Sequence, residues 1–144
     1  MTTPTYDDVI TAAHRISPYV HRTPVFTSSY IDARVGGSVF LKAENLQKVG
    51  AFKARGAVNA VLSLSDSDAD GGVITHSSGN HGQAVAYAAG IRGVPATIVM
   101  PHHAPTVKVD AVAGYGAQIV FCEQSERETV LEDLQARSGS IVVH

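Results

Sequence analysis

The chain has 144 residues, 44% of them hydrophobic and 17% charged, with a formal net charge of -2. That length supports one ordinary core or a piece of a larger fold. The near-balanced charge argues against nucleic-acid or anionic-membrane partners, which require a basic patch. Apolar runs such as "AVAYAA" and "ATIVM" are too short to cross a bilayer, and "MTTPTYDDVI" lacks the basic-then-apolar pattern of a secretory leader. A single cysteine, Cys122, cannot form an internal disulfide and reads as a small buried filler, so a reduced, cytoplasmic setting is expected.

The first predicted element is a helix capped by Thr5, with Asp8 three residues on. Val9, Ile10, Ala13 and Ile16 supply its apolar face and Pro18 stops it. "TPVFTSS" and "SVFLKAE" read as short extended pieces separated by "YIDARVGG". A helix follows from about Phe52 to Leu64. The acidic, glycine-terminated "SDSDADGG" (Ser65 to Gly72) is the candidate boundary loop, dividing the chain into 1–70 and 71–144.

Beyond Gly72 strands and helices alternate. "GVITH", "ATIVM", "AQIVFC" and "SIVVH" are strands; "GQAVAYAAGIRG", "TVKVDAVAGYG" and "SERETVLEDLQAR" are helices. Continuously apolar strands separated by helices imply a parallel sheet covered on both faces, hence an α/β class with three αβα layers. The last strand runs to His144 without a turn or cap, so the fold is expected to continue past it.

One lysine stands out in "GAFKARGA" (Gly50 to Ala57). On a wheel of about 100° per residue, Ala54, Ala57, Val58, Ala60, Val61 and Leu64 share a side and Lys53 falls within it, while Arg55, Gly56, Asn59 and Ser63 face water. Lys53 either snorkels out from the helix start or is held in apolar surroundings. There desolvation and the helix N-terminus disfavour the ammonium form and make a nucleophilic amine. A second cluster, "HSSGNHGQA" (His76 to Ala84), joins the strand "GVIT" to the next helix. Unpaired N–H groups with Ser77, Ser78 and Asn80 beside glycines form either an anion cradle or a plain helix cap. Neither G-x-G-x-x-G nor G-x-x-x-x-G-K-[ST] occurs. His102 and His103 are adjacent and read as surface residues, Glu44, Asp70 and Glu123 form no paired-carboxylate site, and no metal site is expected.

"LKAENLQKVGAFKARGA", "THSSGNHGQAVAYAA" and "PHHAPTVKVDAVAGYGAQIVFCE" closely resemble the fold-type II pyridoxal-phosphate enzymes, nearest the threonine dehydratases and serine racemases. The last of these matches the family's P-x-x-x-P-x-x-K…YGA segment. The resemblance covers about Tyr6 to His144 and implies a tryptophan-synthase-β-like architecture, incomplete over this length. It implies that Lys53 is the Schiff-base lysine, that Phe52 packs beside the cofactor, and that Asn80 hydrogen-bonds the ring hydroxyl. Ser77, Ser78, Asn80, His81 and Gln83 would surround the substrate carboxylate, with Ser78 the acid/base opposite the lysine in racemases. The implied activity is conversion of serine or threonine to a 2-oxo acid and ammonia. The alternatives are serine racemisation, or an inactive α/β fragment that binds anions or a partner chain; cysteine or threonine synthases match "SSGNHGQA" less well. Ala51 stands where the family commonly has serine or threonine. The family's glycine-rich phosphate loop, pyridine-nitrogen partner and acidic metal site lie downstream, in members about twice this length that are expected homo-oligomers. Residues 1–70 correspond to the start of the family's large domain and 71–144 to most of its small one.

Overall fold

The computed structural model describes residues 3–144. Helix α1 (Tyr6–Ile16) begins on the expected capping box: the Thr5 side chain accepts from the Asp8 N–H, and the Asp8 carboxylate accepts from the Thr5 N–H at 2.8 Å. The Thr5 N–H, and with it the Thr5 hydroxyl donating to the same oxygen, holds the Asp8 carboxyl below its usual range. Only Ile16 of α1 is buried. Strands β1 (Val25–Phe26) and β2 (Leu41–Lys42) form a small antiparallel pair. Between them lies α2 (Ser29–Val35), a helix the sequence reading missed, although Ser28 caps it and Gly36 closes it in the left-handed conformation. Two 3₁₀ turns, Glu44–Leu46 and Lys48–Gly50, lead into α3 (Lys53–Leu62).

The acidic segment expected to be a loop contains a one-turn helix, α4 (Asp66–Ala69), because Ser65 caps it and Ala69 is buried beneath it. The alternation beyond it is as expected: β3 (Val73–His76), α5 (Asn80–Arg92), β4 (Ala96–Pro101), α6 (Thr106–Gly114), β5 (Gln118–Cys122), α7 (Arg127–Ser138) and β6 (Ile141–Val142). The four strands form one parallel sheet in the order β5-β4-β3-β6, with Val73 opposite Ala96 and Ile141.

Strand alternation sorts the side chains between two layers. Val73, Ile98 and Met100 face the core built with α5, Val112 of α6, Val58 and Val61 of α3, and Ile16. Ile74, Val99 and Cys122 face Leu131 of α7. The sheet is therefore helix-covered on both faces. Helix α5 is buried almost all round because Ala84, Ala86, Ala88 and Ala89 let both the sheet and α3 approach it. The core crosses the acidic segment without interruption. Arg92, at the end of α5, reinforces that crossing by donating to the Val61 carbonyl at 2.8 Å and the Ser65 carbonyl at 3.1 Å. Cys122 is buried, and burial pushes its thiol pKa up, as suits a filler. Among the described residues no helix is long and apolar enough to cross a membrane.

Candidate active site

In a parallel sheet, ligand chemistry collects at the carboxyl ends of the strands. Four chain segments leave that edge here: Ser77–Gly79 after β3, His102–Pro105 after β4, Glu123–Glu126 after β5, and Val143–His144 after β6. The first enters α5 with Gly79 at the N-cap and no side-chain cap. The N–H groups of the first turn thus have no helical acceptor one turn back and point outward, toward where an anion would sit. Ser77 shapes the loop: its N–H bonds the Val99 carbonyl at 3.0 Å and its hydroxyl accepts from the Gly79 N–H at 3.2 Å. Gly82 lets the helix start lie close to the strand end, since a Cβ there would sit 2.8 Å from the Ser77 carbonyl oxygen and 3.0 Å from Ile98.

Lys53 is the first residue of α3. The backbone before it is unusual: Val49 has φ 55° and Gly50 φ 67°. A β-branched residue in the left-handed region is strained by about 1–2 kcal/mol, and that turn aims the chain so that α3 begins at the lysine. Phe52, Lys53, Gly56, Ala57, His81, Val143 and His144 line a cleft of about 200 Å³. The two sequence motifs, 28 residues apart from Lys53 to His81, therefore meet in space. No acidic side chain lines the cleft.

The structure decides between the two readings of Lys53 and corrects that of Arg55. Lys53 is exposed, as the snorkelling reading expects, with its Nζ 5.6 Å from the centre of the Phe52 ring. At the first helical position no preceding turn covers it, and Phe52 beside it is itself 62% exposed. Arg55 does not simply face water. Its guanidinium grips Glu44 through Nε at 2.9 Å and Nη2 at 2.8 Å, and Nη2 also donates to the His21 carbonyl. Thr23 donates to the same carboxylate. The Arg55 hydrogen bonds hold the Glu44 pKa down at about 2.

Of the other expected site residues, Ser77 and Ser78 are half-buried at the loop and Asn80 is exposed at the helix start. His81 turns its ring to the Val143 carbonyl, Nε2 to oxygen 3.0 Å, so its side chain ties α5 to the end of β6. That leaves Nδ1 and the backbone N–H of His81 for a ligand. Gln83 is buried, 5% exposed, and does not line the lysine cleft. The sequence reading gave no role to Lys108, whose Nζ lies 2.7 Å from Asn80 Oδ1. The P-x-x-x-P-x-x-K spacing was its signal. It also gave none to His76, whose Nδ1 is the one buried side-chain polar atom without a partner among the described residues. A larger cleft of about 310 Å³ near Ile16, Val20 and His21 carries no chemistry, because Lys42 beside it is bonded to the Thr23 carbonyl and Arg55 to Glu44.

Comparison with known proteins fits this geometry. Residues 16–144 match the family described as pyridoxal-phosphate dependent enzymes, and the chain belongs to that family. It is 48% identical over 143 residues to a beta-hydroxyaspartate dehydratase of Paracoccus denitrificans, covering 98% of this chain and 45% of that protein. It is 53% identical over 135 residues to a serine racemase of Oryza sativa subsp. indica, covering 92% of this chain and 40% of that protein. The structure of maize serine racemase superposes with a TM-score of 0.94 at 47% identity, over 99% of this chain and 44% of that one. The chain thus spans less than half the length of these relatives.

The residues present fit the family's cofactor. A lysine amine opens into a cleft free of acids, and the uncapped α5 terminus offers N–H donors. The Asn80 amide oxygen is occupied by a cation, which leaves its NH2 group available to an acceptor. These are the donors needed for an aldehyde, a carboxylate and a ring oxygen.

Proposed function

We propose that the protein to which this chain belongs is a pyridoxal-phosphate-dependent ammonia-lyase acting on a small 3-hydroxy amino acid: serine, threonine or 3-hydroxyaspartate. The observation that carries this reading is the meeting of Lys53 with His81, in the first turn of α5, at one cleft. When bound, the cofactor supplies an electron sink for the carbanion at Cα. The α5 N-terminus, through the backbone N–H groups of Ser78, Asn80 and His81, holds the substrate carboxylate and so fixes Cα over the lysine. Lys53 supplies the amine that holds the cofactor and then takes the Cα proton; Asn80 donates to the ring oxygen. The β-hydroxyl takes up a proton and leaves as water, and hydrolysis of the resulting enamine, through its imine tautomer, by another water gives the 2-oxo acid and ammonia.

Racemisation is the second reading, favoured by the half-buried Ser78 hydroxyl at the same loop and by the serine racemases among the relatives. Returning a proton from the Ser78 side would invert Cα. Within this proposal residues 1–70 begin a larger cofactor domain and 71–144 form most of a smaller one, in a homo-oligomer. The exposed Tyr6, Phe26, Tyr30 and Phe40 in the first part support that division. The test incubates the full-length protein with L-serine, L-threonine and L-threo-3-hydroxyaspartate and measures 2-oxo acid, ammonia and D-enantiomer. Oxo acid and ammonia that vanish in Lys53→Ala support the lyase. D-enantiomer alone supports the racemase, and undiminished turnover in Lys53→Ala overturns both.

A further inference from the structure

Lys108 sits in the first turn of α6, half-buried, and its ammonium reaches the first turn of α5. Both helix ends carry partial positive charge, so a cation there is disfavoured from two sides. Among the described residues the ion pairs are Arg55–Glu44 and Arg92–Asp66; Lys108 has no acidic partner. Folding alone gives no reason to put it there.

Its one contact supplies the reason. An ammonium group only donates, so the Asn80 atom 2.7 Å from Nζ must be the amide oxygen. That settles which way the amide lies and turns its NH2 group away from Lys108. A cation on the oxygen also polarises the amide and strengthens the donors on nitrogen.

We infer that Lys108 is a positioning residue: it locks the Asn80 amide with NH2 toward the cofactor and brings positive charge that favours an ionised ring oxygen. This rests on the reading of the site as a pyridoxal-phosphate site. The Lys108–Asn80 contact itself is testable without the cofactor.

The test uses the full-length protein and a double-mutant cycle. Lys108→Met and Asn80→Ala should each weaken pyridoxal-phosphate binding about tenfold, and the double variant should be no worse than Asn80→Ala alone. Lys108→Arg should bind within about twofold of the parent, since a guanidinium also only donates. At fixed pH, the long-wavelength absorbance band of the bound cofactor should shrink relative to the short-wavelength band in Lys108→Met and recover in Lys108→Arg. In the cofactor-free protein, NMR should show the Asn80 NH2 protons shifted by Lys108→Met, with thermal unfolding unchanged or slightly raised because an unfavourable cation is gone. A lowered unfolding temperature together with weaker binding would make Lys108 structural and overturn the inference. So would effects that multiply to about a hundredfold in the double variant, or an unmoved Asn80 signal. Failure of the parent to bind the cofactor would sink the functional reading, and the cofactor part of this inference with it.

Discussion

Residues 5–50 and residues 73–143 are held together by different forces. In the second region, adjacent residues of β3 and β4 send side chains to opposite helical layers, and Ile74, Ile98, Val99 and Met100 are wholly buried. Burial of each such side chain contributes about 1.5–3 kcal/mol. In the first region β1 and β2 expose Val25, Phe26 and Leu41, α2 buries nothing, and α1 buries only Ile16. Polar bonds hold it instead. Buried Gln47 accepts from the His21 and Lys48 N–H groups and donates to the His21 carbonyl, all at 2.8 Å. Glu44 gathers Thr23 and Arg55, and Asp32 accepts from the Val39 N–H. The catalytic lysine of the proposal lies at the seam between the two: α3 starts where the polar network ends and packs its far side into the apolar core.

The sharpest way to break this contrast is a matched pair of truncations. Met100→Ala, in the core, should lower stability by about 2–5 kcal/mol, whereas Ile10→Ala, on the open face of α1, should stay within about 0.5 kcal/mol. Urea unfolding of both variants checks this, and comparable losses would show that the first region is packed as tightly as the second.

Next in size is the polar network. Glu44→Gln removes the charge that binds Arg55 and should cost about 1–3 kcal/mol at neutral pH. The sign with pH follows from the depressed pKa. The Glu44 contribution is fully present above its ordinary value of 4.5, weakens as pH falls below that, and is gone below about 2. Unfolding followed from pH 7 downward should therefore show a loss in the parent that the Glu44→Gln protein lacks. Hydrogen exchange should locate it in residues 21–50, not in β3 or β4.

How much of this was legible beforehand differs between the same two regions. Period and punctuation identified every strand and helix after Gly72, because a buried parallel sheet writes itself as continuous apolar runs. Around residues 29–35 the pattern is weak: α2 buries nothing, so no apolar stripe announces it, and only Ser28 and Gly36 mark its ends. The wheel left Lys53 undecided between snorkelling and immersion for a related reason. Periodicity reports which face a helix turns inward over its length, but the first residue of α3 has no turn before it to be covered by. Arg55 was read as solvent-facing because its partner, Glu44, is eleven residues away in a 3₁₀ turn that no period reveals. Asn80 was visible as a donor from its motif, whereas Lys108, 28 residues on, stood in its P-x-x-x-P-x-x-K segment without a role until α5 and α6 were placed side by side.

A smaller effect tests the seam itself. Gly82→Ala gains about 1 kcal/mol of helix propensity, but its Cβ would press on the Ser77 carbonyl at 2.8 Å and on Ile98 at 3.0 Å. Overpacking of that kind costs about 1–3 kcal/mol, so the net loss should be about 1 kcal/mol. The loop, which has less holding it than the sheet, should yield first. Weaker cofactor or carboxylate binding at near-normal stability is the expected signature.

The smallest expected effect lies at the far end of the first region. Thr5→Ala removes the hydroxyl half of the capping box and leaves Asp8 accepting from the residue-5 N–H; the loss of an N-cap side chain is worth about 0.5–1 kcal/mol. Because α1 joins the core only through Ile16 and its packing on α3, that loss should appear as fraying of residues 6–10 rather than a lower global unfolding midpoint. Hydrogen exchange at Val9, whose N–H bonds the Thr5 carbonyl at 3.3 Å, should speed up while exchange in α5 stays unchanged. A shift in α5 would mean that the polar region and the sheet unfold as one unit, and that Lys53 is held by both.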